Sequence, residues 1–153
     1  MHFPQMKVFL DTNIFIEYFE QRREYEAVSR LFNAVEDGKL KAVVSVGCVY
    51  TLAYLVRVEL KRHGIYRPGQ TEQLRNTLNI VMSMVTAVGL SHKRLSAGIN
   101  DISFDDVEDS FQYQCALQNK CDTFVTINLR DYRRADASQI EILSPAEFVG
   151  KYL

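Results

Sequence analysis

The stretch that most constrains the fold is Lys7-Val8-Phe9-Leu10-Asp11-Thr12-Asn13. It is an apolar run that ends abruptly in an acid, a hydroxyl and an amide, and a helical pattern follows at once. In an open parallel sheet, ligands bind outside the carboxyl ends of the strands, near the point where strand order reverses. Asp11 is therefore placed at a potential active site, and Asn13 suits the N-terminus of the next helix. A mere cap or turn role for Asp11 is the competing interpretation.

The rest of the chain alternates short apolar runs with helical patterns, and no repeat, linker or low-complexity tract interrupts it. We predict strands at 8–10, 41–45, 85–90, 122–126 and 140–143. We predict helices at 14–36 (with 21–23 as the point where it would break), 49–62, 71–84, 92–98, 106–119 and from 145 onward. Such alternation implies one three-layer α/β domain over 1–153 with a mainly parallel sheet of about five strands.

Composition excludes several classes of protein. The net charge of −1 gives no global attraction to nucleic acid or anionic membrane. No apolar run reaches the roughly 18 residues of a membrane span, and residues 1–5 do not resemble a signal peptide. The three cysteines form no CxxC pair, which favours a reduced, cytoplasmic protein.

The densest acidic cluster lies at 105–109. Taking Asp105 as the N-cap of the following helix places Glu108 three residues later, as in a capping box. Asp106 and Asp109 then share one face of the first turn, where two like charges repel unless a cation lies between them. Asp109 lies deeper in the helix than capping requires, so we expect a functional role for it.

Polar side chains also follow the fourth predicted strand, in the segment from Thr126 to Asp131. If this strand lies beside the first one, Asp11, Asp109 and the residues from Asn128 to Asp131 converge at one edge of the sheet. Oxygen ligands gathered in this way suit Mg²⁺ or Mn²⁺.

At this point the chain resembles a known family, the PIN-domain ribonucleases, and in particular the VapC-like toxin halves of bacterial toxin–antitoxin pairs. The matching segments are Val8-Phe9-Leu10-Asp11-Thr12-Asn13, Asp106-Val107-Glu108-Asp109-Ser110-Phe111-Gln112, and Asp122-Thr123-Phe124-Val125-Thr126-Ile127-Asn128 with Asp131-Tyr132. Each motif alone is weak, but their order and spacing cover almost the whole chain.

The resemblance implies a Rossmann-like α/β/α sandwich that cleaves RNA through a metal-activated water, with Mg²⁺ or Mn²⁺ as cofactor. It also implies a cognate antitoxin as partner and leaves a homodimer open. By position, Asp11 and Asp109 match the family's first and third metal-binding acids, and Asp106 matches an acid found in one branch. Asn128 or Asp131 occupies the region of the fourth acid.

Two positions depart from the family pattern. The Glu expected about six residues after Ser45 is replaced by Thr51, and the usual fourth acid is replaced by Asn128. Asp131 could substitute as a metal ligand from three residues further on. The residues expected to organise the site rather than bind metal are Asn13, Thr51, Thr126 and Asn128.

RNA binding by an acidic site also needs basic groups at its rim. The candidates beside the fourth strand are Arg130, Arg133 and Arg134, and a second group is Arg57, Lys61, Arg62 and Arg67. Aromatic residues that could stack on unpaired bases are Tyr18, Tyr54, Tyr66, Tyr113 and Tyr132.

Two rival functions remain at the level of sequence. A catalytically weakened PIN domain that binds protein or RNA is favoured by Thr51 and Asn128. A phosphatase or phosphotransferase with Asp11 as nucleophile is disfavoured, because such enzymes carry Asp where this chain has Asn13.

Overall fold

A computed structural model describes residues 5–153, and in that part of the chain five strands alternate with seven helices. The strands are Met6–Leu10 (β1), Leu40–Ser45 (β2), Thr86–Val88 (β3), Thr123–Val125 (β4) and Glu141–Leu143 (β5). The helices are Asn13–Phe19 (α1), Tyr25–Glu36 (α2), Val46–Arg62 (α3), Gly69–Met84 (α4), His92–Ile99 (α5), Val107–Gln118 (α6) and Pro145–Tyr152 (α7). A short 3₁₀ turn spans Leu129–Tyr132.

The five strands form one sheet in the order β3-β2-β1-β4-β5, and every neighbouring pair is parallel. The chain builds outward from β1 to β2 and β3, then crosses to the other side of β1 for β4 and β5. Strand order therefore reverses between β1 and β4, and Asp11 follows β1 at that point. The prediction of a mainly parallel sheet of about five strands is confirmed.

Helices cover both faces of the sheet, because side chains of a strand alternate between its two sides. Val8 and Leu10 belong to a core that packs against α1–α4 and α7. Phe9, between them, belongs to a second core that packs against α6. Helices therefore pack on both faces of the sheet, and the three-layer α/β/α architecture predicted from the sequence is confirmed.

The structure divides the helix predicted over 14–36 into α1 and α2, which confirms the predicted interruption near 21–23. The break falls at the 21–23 segment, where Gln21 adopts a left-handed conformation with φ of 48°. The buried carboxylate of Glu17 stabilises the turn by accepting the backbone N–H of Glu24 at 2.7 Å. Because no Gly or Pro lies in this turn, the spacing of apolar residues on its own continues as it would in a single helix.

Several element boundaries also shift. Helix α3 begins at Val46 rather than 49, because the Ser45 hydroxyl accepts the N–H of Cys48 at 2.9 Å and caps the helix there. Helix α4 begins at Gly69 rather than 71, and the strands predicted at 85–90 and 122–126 are shorter.

Within residues 5–153, no helix combines the length and apolar character needed to cross a bilayer. Residues 1–4, which fall in the segment where the sequence predicts no signal peptide, lie outside the described part of the chain.

We expect Phe124→Ala to lower the free energy of unfolding by about 3–5 kcal/mol, because truncating a buried Phe leaves a cavity. Phe124 is fully buried and stacks on Phe9 with ring centroids 5.1 Å apart. Chemical denaturation of both proteins measures the difference. Ile102→Ala is the matched control: Ile102 is 92% exposed, and its loss should change stability by less than about 0.5 kcal/mol. Equal losses in the two variants would contradict the packing of β4.

Candidate active site

Asp11 lies directly beyond β1 and is only 5% exposed. Its Oδ1 accepts the Thr12 backbone N–H at 2.8 Å and the Gln112 side-chain amide at 3.2 Å. Its Oδ2 accepts the Thr126 hydroxyl at 2.8 Å and the Tyr132 hydroxyl at 3.0 Å. A buried carboxylate needs partners of this kind, since an unpaired buried charge is strongly unfavourable. The network fixes both oxygens of Asp11 in place.

The register of the sheet explains why Thr126 reaches Asp11. Leu10 pairs with Val125, and the N–H of Asp11 donates to the Val125 carbonyl at 3.0 Å. The residues that follow each strand therefore lie side by side at the carboxyl edge. Asn13 adds a second link, because its side-chain N–H₂ contacts the Thr126 hydroxyl at 3.2 Å and its Oδ1 accepts the Ile127 N–H at 3.2 Å.

Asp109, in the first turn of α6, approaches Asp11 through a shared partner. The Tyr132 hydroxyl lies 3.2 Å from Asp109 Oδ1 and 3.0 Å from Asp11 Oδ2. Partial burial, together with the negative charge of Asp11, raises the pKa of Asp109 to about 7. Asp106 and Asp131 add smaller contributions in the same direction. The site thus concentrates more negative charge than its hydrogen bonds neutralise.

Tyr132 is itself buried, and its ring packs against Phe104 and Phe124. Burial beside Asp11 and Asp109 raises the pKa of Tyr132 far above its usual value, so the phenol stays protonated. A hydroxyl has one proton to donate, so it can satisfy only one of the two carboxylates at a time.

The structure corrects the predicted helix cap. Asp106, not Asp105, is the N-cap of α6, and its Oδ1 accepts the N–H of Glu108 at 2.9 Å. Asp105 points outward and forms an ion pair with Arg134 at 2.9 Å. The helix begins one residue later than the sequence indicates, so Asp109 falls at the third helical position.

Asp131 and Asn128 lie in the exposed turn after β4. The backbone N–H of Asn128 donates to the Thr126 hydroxyl at 3.1 Å, which places the turn against Asp11 without bringing the Asn128 side chain into the network. In residues 5–153, no three His, Cys, Asp or Glu side chains are close enough together to hold a metal ion. The structure thus brings Asp11 and Asp109 together but does not gather Asp106 or Asp131 into one cluster with them.

Asp11 and Asp109 are the acids that could together hold a magnesium-type ion. Mg²⁺ keeps several waters and is usually held by one or two carboxylates together with substrate phosphates. Burial first, and then the negative charges of Asp11, Asp106 and Asp131, raise the pKa of Asp109, and a cation bound there would favour its charged form. Mn²⁺ prefers the same oxygen donors.

A pocket of about 650 Å³ opens beside the two acids. Thr51, the position at which the family pattern has Glu, lines this pocket from α3. Arg22 lines it from the turn between α1 and α2, where it pairs with Glu20. The rest of its wall is largely apolar: Ile16, Val46, Leu55, Val88, Leu90, Leu95 and Phe111.

Sequence reasoning missed four of the residues that build this site: Arg22, Ser45, Gln112 and the hydroxyl of Tyr132. One signal was available, since Gln112 follows Asp109 by three positions and so shares its helix face. The proposed stacking role is wrong for Tyr113 and Tyr132, because both are buried. Tyr54 and Tyr66 are exposed, and Tyr18 packs in an aromatic cluster with Tyr25 and Phe32.

The three candidate RNA-binding arginines differ in their surroundings. Arg130 and Arg133 are exposed, and within residues 5–153 neither forms an ion pair. Arg134 is engaged by Asp105. Exposed pairs of this kind are weak, so Arg134 can exchange Asp105 for another anion at low cost.

Comparisons with known proteins agree with this architecture. A family model described as a PIN domain matches residues 7–130. VapBC2 from Rickettsia felis, solved bound to a DNA fragment from its promoter, aligns with a TM-score of 0.65 and 17% identity, over 91% of this chain and 98% of that one. VapBC-1 from nontypeable Haemophilus influenzae aligns with a TM-score of 0.64 and 16% identity, over 92% and 99%. Identities this low show similarity of fold alone. No curated protein matches closely enough to count as a relative.

We expect Asp109 to make a contribution to the stability of the metal-free protein that becomes progressively less favourable as pH rises from about 4 to about 7. The pKa of Asp109 is about 7 in the folded protein, against an ordinary value of 3.8, so folding is favoured by its protonation. Asp109→Asn mimics the protonated acid and should melt at a higher temperature than the wild type above pH 7. The gap should shrink as pH falls and vanish near pH 4.

Melting curves in chelator across this pH range measure the effect. Asp105→Asn is the matched control, because Asp105 is an exposed acid from the same segment and should show no such pH-dependent gap. A gap for Asp109→Asn that is equal at pH 4 and pH 8 would contradict the proposed crowding of negative charge.

Proposed function

Because this chain belongs to the PIN-domain family, we propose that it is a metal-dependent endoribonuclease that hydrolyses RNA phosphodiester bonds. We further propose that it acts as the toxin of a toxin–antitoxin pair. The family membership supports a nuclease, and support for metal-dependent cleavage comes from the geometry of the site.

The observation that carries the proposal is the convergence of Asp11 and Asp109 on one hydroxyl at the switch point of the sheet. A fold that needed only stability would gain from separating these carboxylates, since like charges in a half-buried site repel. Their juxtaposition beside an open pocket instead favours a role in binding a cation.

Each residue then has a proposed task. A bound Mg²⁺ or Mn²⁺ would orient and activate water and stabilise charge on the phosphoryl group. Asp11 and Asp109 would hold the ion, with Asp106 and Asp131 adding negative charge nearby. The carboxyl edge of the sheet, where Asp11 lies, would be held in place by hydrogen bonds of Asn13, Thr126 and the Asn128 backbone.

The substrate must be held against an acidic centre, which repels phosphate unless cations flank it. Arg130 and Arg133 are exposed on the turn that carries Asp131, so they can contact the RNA backbone beside the site. Arg134 can join them by leaving Asp105. Arg22 offers a further cation on the pocket wall. None of these groups reads base sequence.

The proposed partner is an antitoxin, and a homodimer is compatible with the fold. The two solved structures described above are of VapBC proteins, and one of them was solved bound to a DNA fragment from its promoter. We therefore expect a small DNA-binding protein to be encoded beside this chain, and both proteins to act in the cytoplasm.

We expect Asp11→Asn and Asp109→Asn each to reduce metal-dependent cleavage of single-stranded RNA by at least about 100-fold, because metal stabilisation of the transition state is worth several kcal/mol. Both variants keep the size of the side chain and should stay folded. The measurement is single-turnover cleavage in Mg²⁺ and in Mn²⁺, with growth inhibition on expression as a second readout.

Asp37→Asn is the control, since Asp37 is an exposed acid at the end of α2, outside the acidic segment and the arginine-bearing turn, and this variant should cleave like the wild type. Wild-type cleavage rates in both Asp11→Asn and Asp109→Asn would sink the assignment of the site.

A second candidate function can be tested by the same RNA-cleavage assay. Thr51 and Asn128 stand where the family pattern has acids, and the described residues contain no cluster of three possible ligands. These observations favour a weakened PIN domain that mainly binds the antitoxin or RNA. That protein would bind RNA in a gel-shift assay but leave it uncut in Mg²⁺ or Mn²⁺.

A further inference from the structure

Gln112 is a buried polar side chain whose two ends face two different elements. It lies on α6 and is 8% exposed. Its Nε2 donates to Asp11 Oδ1 at 3.2 Å and approaches the Thr12 hydroxyl at 3.3 Å. Its Oε1 accepts the hydroxyl proton of Ser45 at the end of β2. One amide thus joins β1, β2 and α6 at the candidate active site.

Asp11 and Ser45 together determine which way the Gln112 amide points. The Ser45 Oγ accepts the Cys48 N–H at 2.9 Å as the N-cap of α3, and it donates its single proton to Gln112 Oε1. A flipped amide would place Oε1 against Asp11 Oδ1, two acceptors in contact, and would leave the Ser45 proton without its acceptor. Only one orientation satisfies all of the groups.

We propose that Gln112 is a positioning residue that aims Asp11 at Asp109, with Ser45 as a second group that supports its orientation; this rests on the proposed metal-dependent function. Gln112 and the Thr12 N–H together hold Asp11 Oδ1. The opposite oxygen, Oδ2, is thereby turned towards the hydroxyl that Asp11 shares with Asp109.

The consequence is that metal affinity depends on a residue that has no carboxylate and need not touch the ion. Partners that orient metal ligands typically change metal affinity 10–100-fold when they are lost. Metal affinity should depend strongly on Gln112 in this chain, because Thr51 and Asn128 stand at positions where the family pattern has acids. Few carboxylates therefore remain to hold the ion if Asp11 is misplaced. Gln112 would act by keeping Asp11 in one rotamer.

The direct test is Mn²⁺ titration of the full chain by calorimetry, comparing Gln112→Met with the wild type. Met is close to Gln in length and donates no hydrogen bond, so Asp11 loses one partner without a large cavity. We expect Mn²⁺ binding to weaken roughly 10–100-fold. The single-turnover rate constant for cleavage at saturating RNA should fall, while the concentration of RNA that gives half of the maximal rate should stay unchanged.

Gln114→Met is the matched control. Gln114 lies two positions along the same helix, but its side chain accepts from Arg94 on the side of α5, so Mn²⁺ affinity should equal that of the wild type. Wild-type Mn²⁺ affinity in Gln112→Met would overturn the proposal, as would an equal loss in the two variants.

Ser45→Ala provides a second variant if Gln112→Met does not fold. It removes the orienting proton without altering Gln112, and it should weaken Mn²⁺ binding too. Because it also removes a helix cap, Ser91→Ala serves as its control: Ser91 caps α5 through Arg94 and lies apart from Gln112. Wild-type Mn²⁺ affinity in Ser45→Ala would count against the role of Ser45.

A crystal structure of metal-free Gln112→Met separates this inference from the proposed function. If the wild type binds no Mn²⁺, the metal-dependent function fails, but the orientation of the Asp11 carboxylate still decides the role of Gln112. A carboxylate rotated away from its wild-type direction supports the inference, and an unchanged carboxylate overturns it.

Discussion

The register between β1 and β4 is the constraint on which the site depends. Pairing of Leu10 with Val125 brings Asp11 beside Thr126 and sends the following turn back over the sheet, so that the Tyr132 hydroxyl reaches Asp11. The aromatic core holds that hydroxyl still, because the Tyr132 ring packs on Phe124, a residue of β4 itself. Since strand side chains alternate between faces, slipping this register by one residue would move side chains from one buried face of the sheet to the other as well as dismantle the site.

The carboxylates that this framework of strands and aromatic rings brings together repel one another. Asp11 is surrounded by donors, whereas Asp109 is half-buried near other acids and its pKa rises to about 7. The fold tolerates the repulsion because the apolar cores on both faces of the sheet stabilise the elements that carry the acids. Such local cost at a functional site is common where activity needs an arrangement that stability alone would not select. In our account the missing positive charge is a divalent cation.

The sequence was sufficient to predict the architecture and the proximity of Asp11 to Asp109. Apolar runs alternating with helical patterns predicted the parallel sheet, and polar residues after two strands predicted that Asp11 would lie near the fourth strand's end. The amide of Gln112 and its link to Ser45 could not be predicted, because they depend on how α6 sits against β2, a packing detail with no local pattern. The cap of α6 shifted by one residue because Asp105 and Asp106 are equally good capping residues, and the local sequence pattern does not distinguish between them.

The central claim is that Asp11 and Asp109 together form a site for a divalent metal, and its most direct test is anomalous diffraction from crystals of the wild-type protein soaked in MnCl₂. We expect an anomalous peak in contact with carboxylate oxygens of both residues, and no peak there in crystals of Asp11→Asn treated in the same way. A wild-type map without a peak at these carboxylates, at Mn²⁺ concentrations that support RNA cleavage, would contradict it.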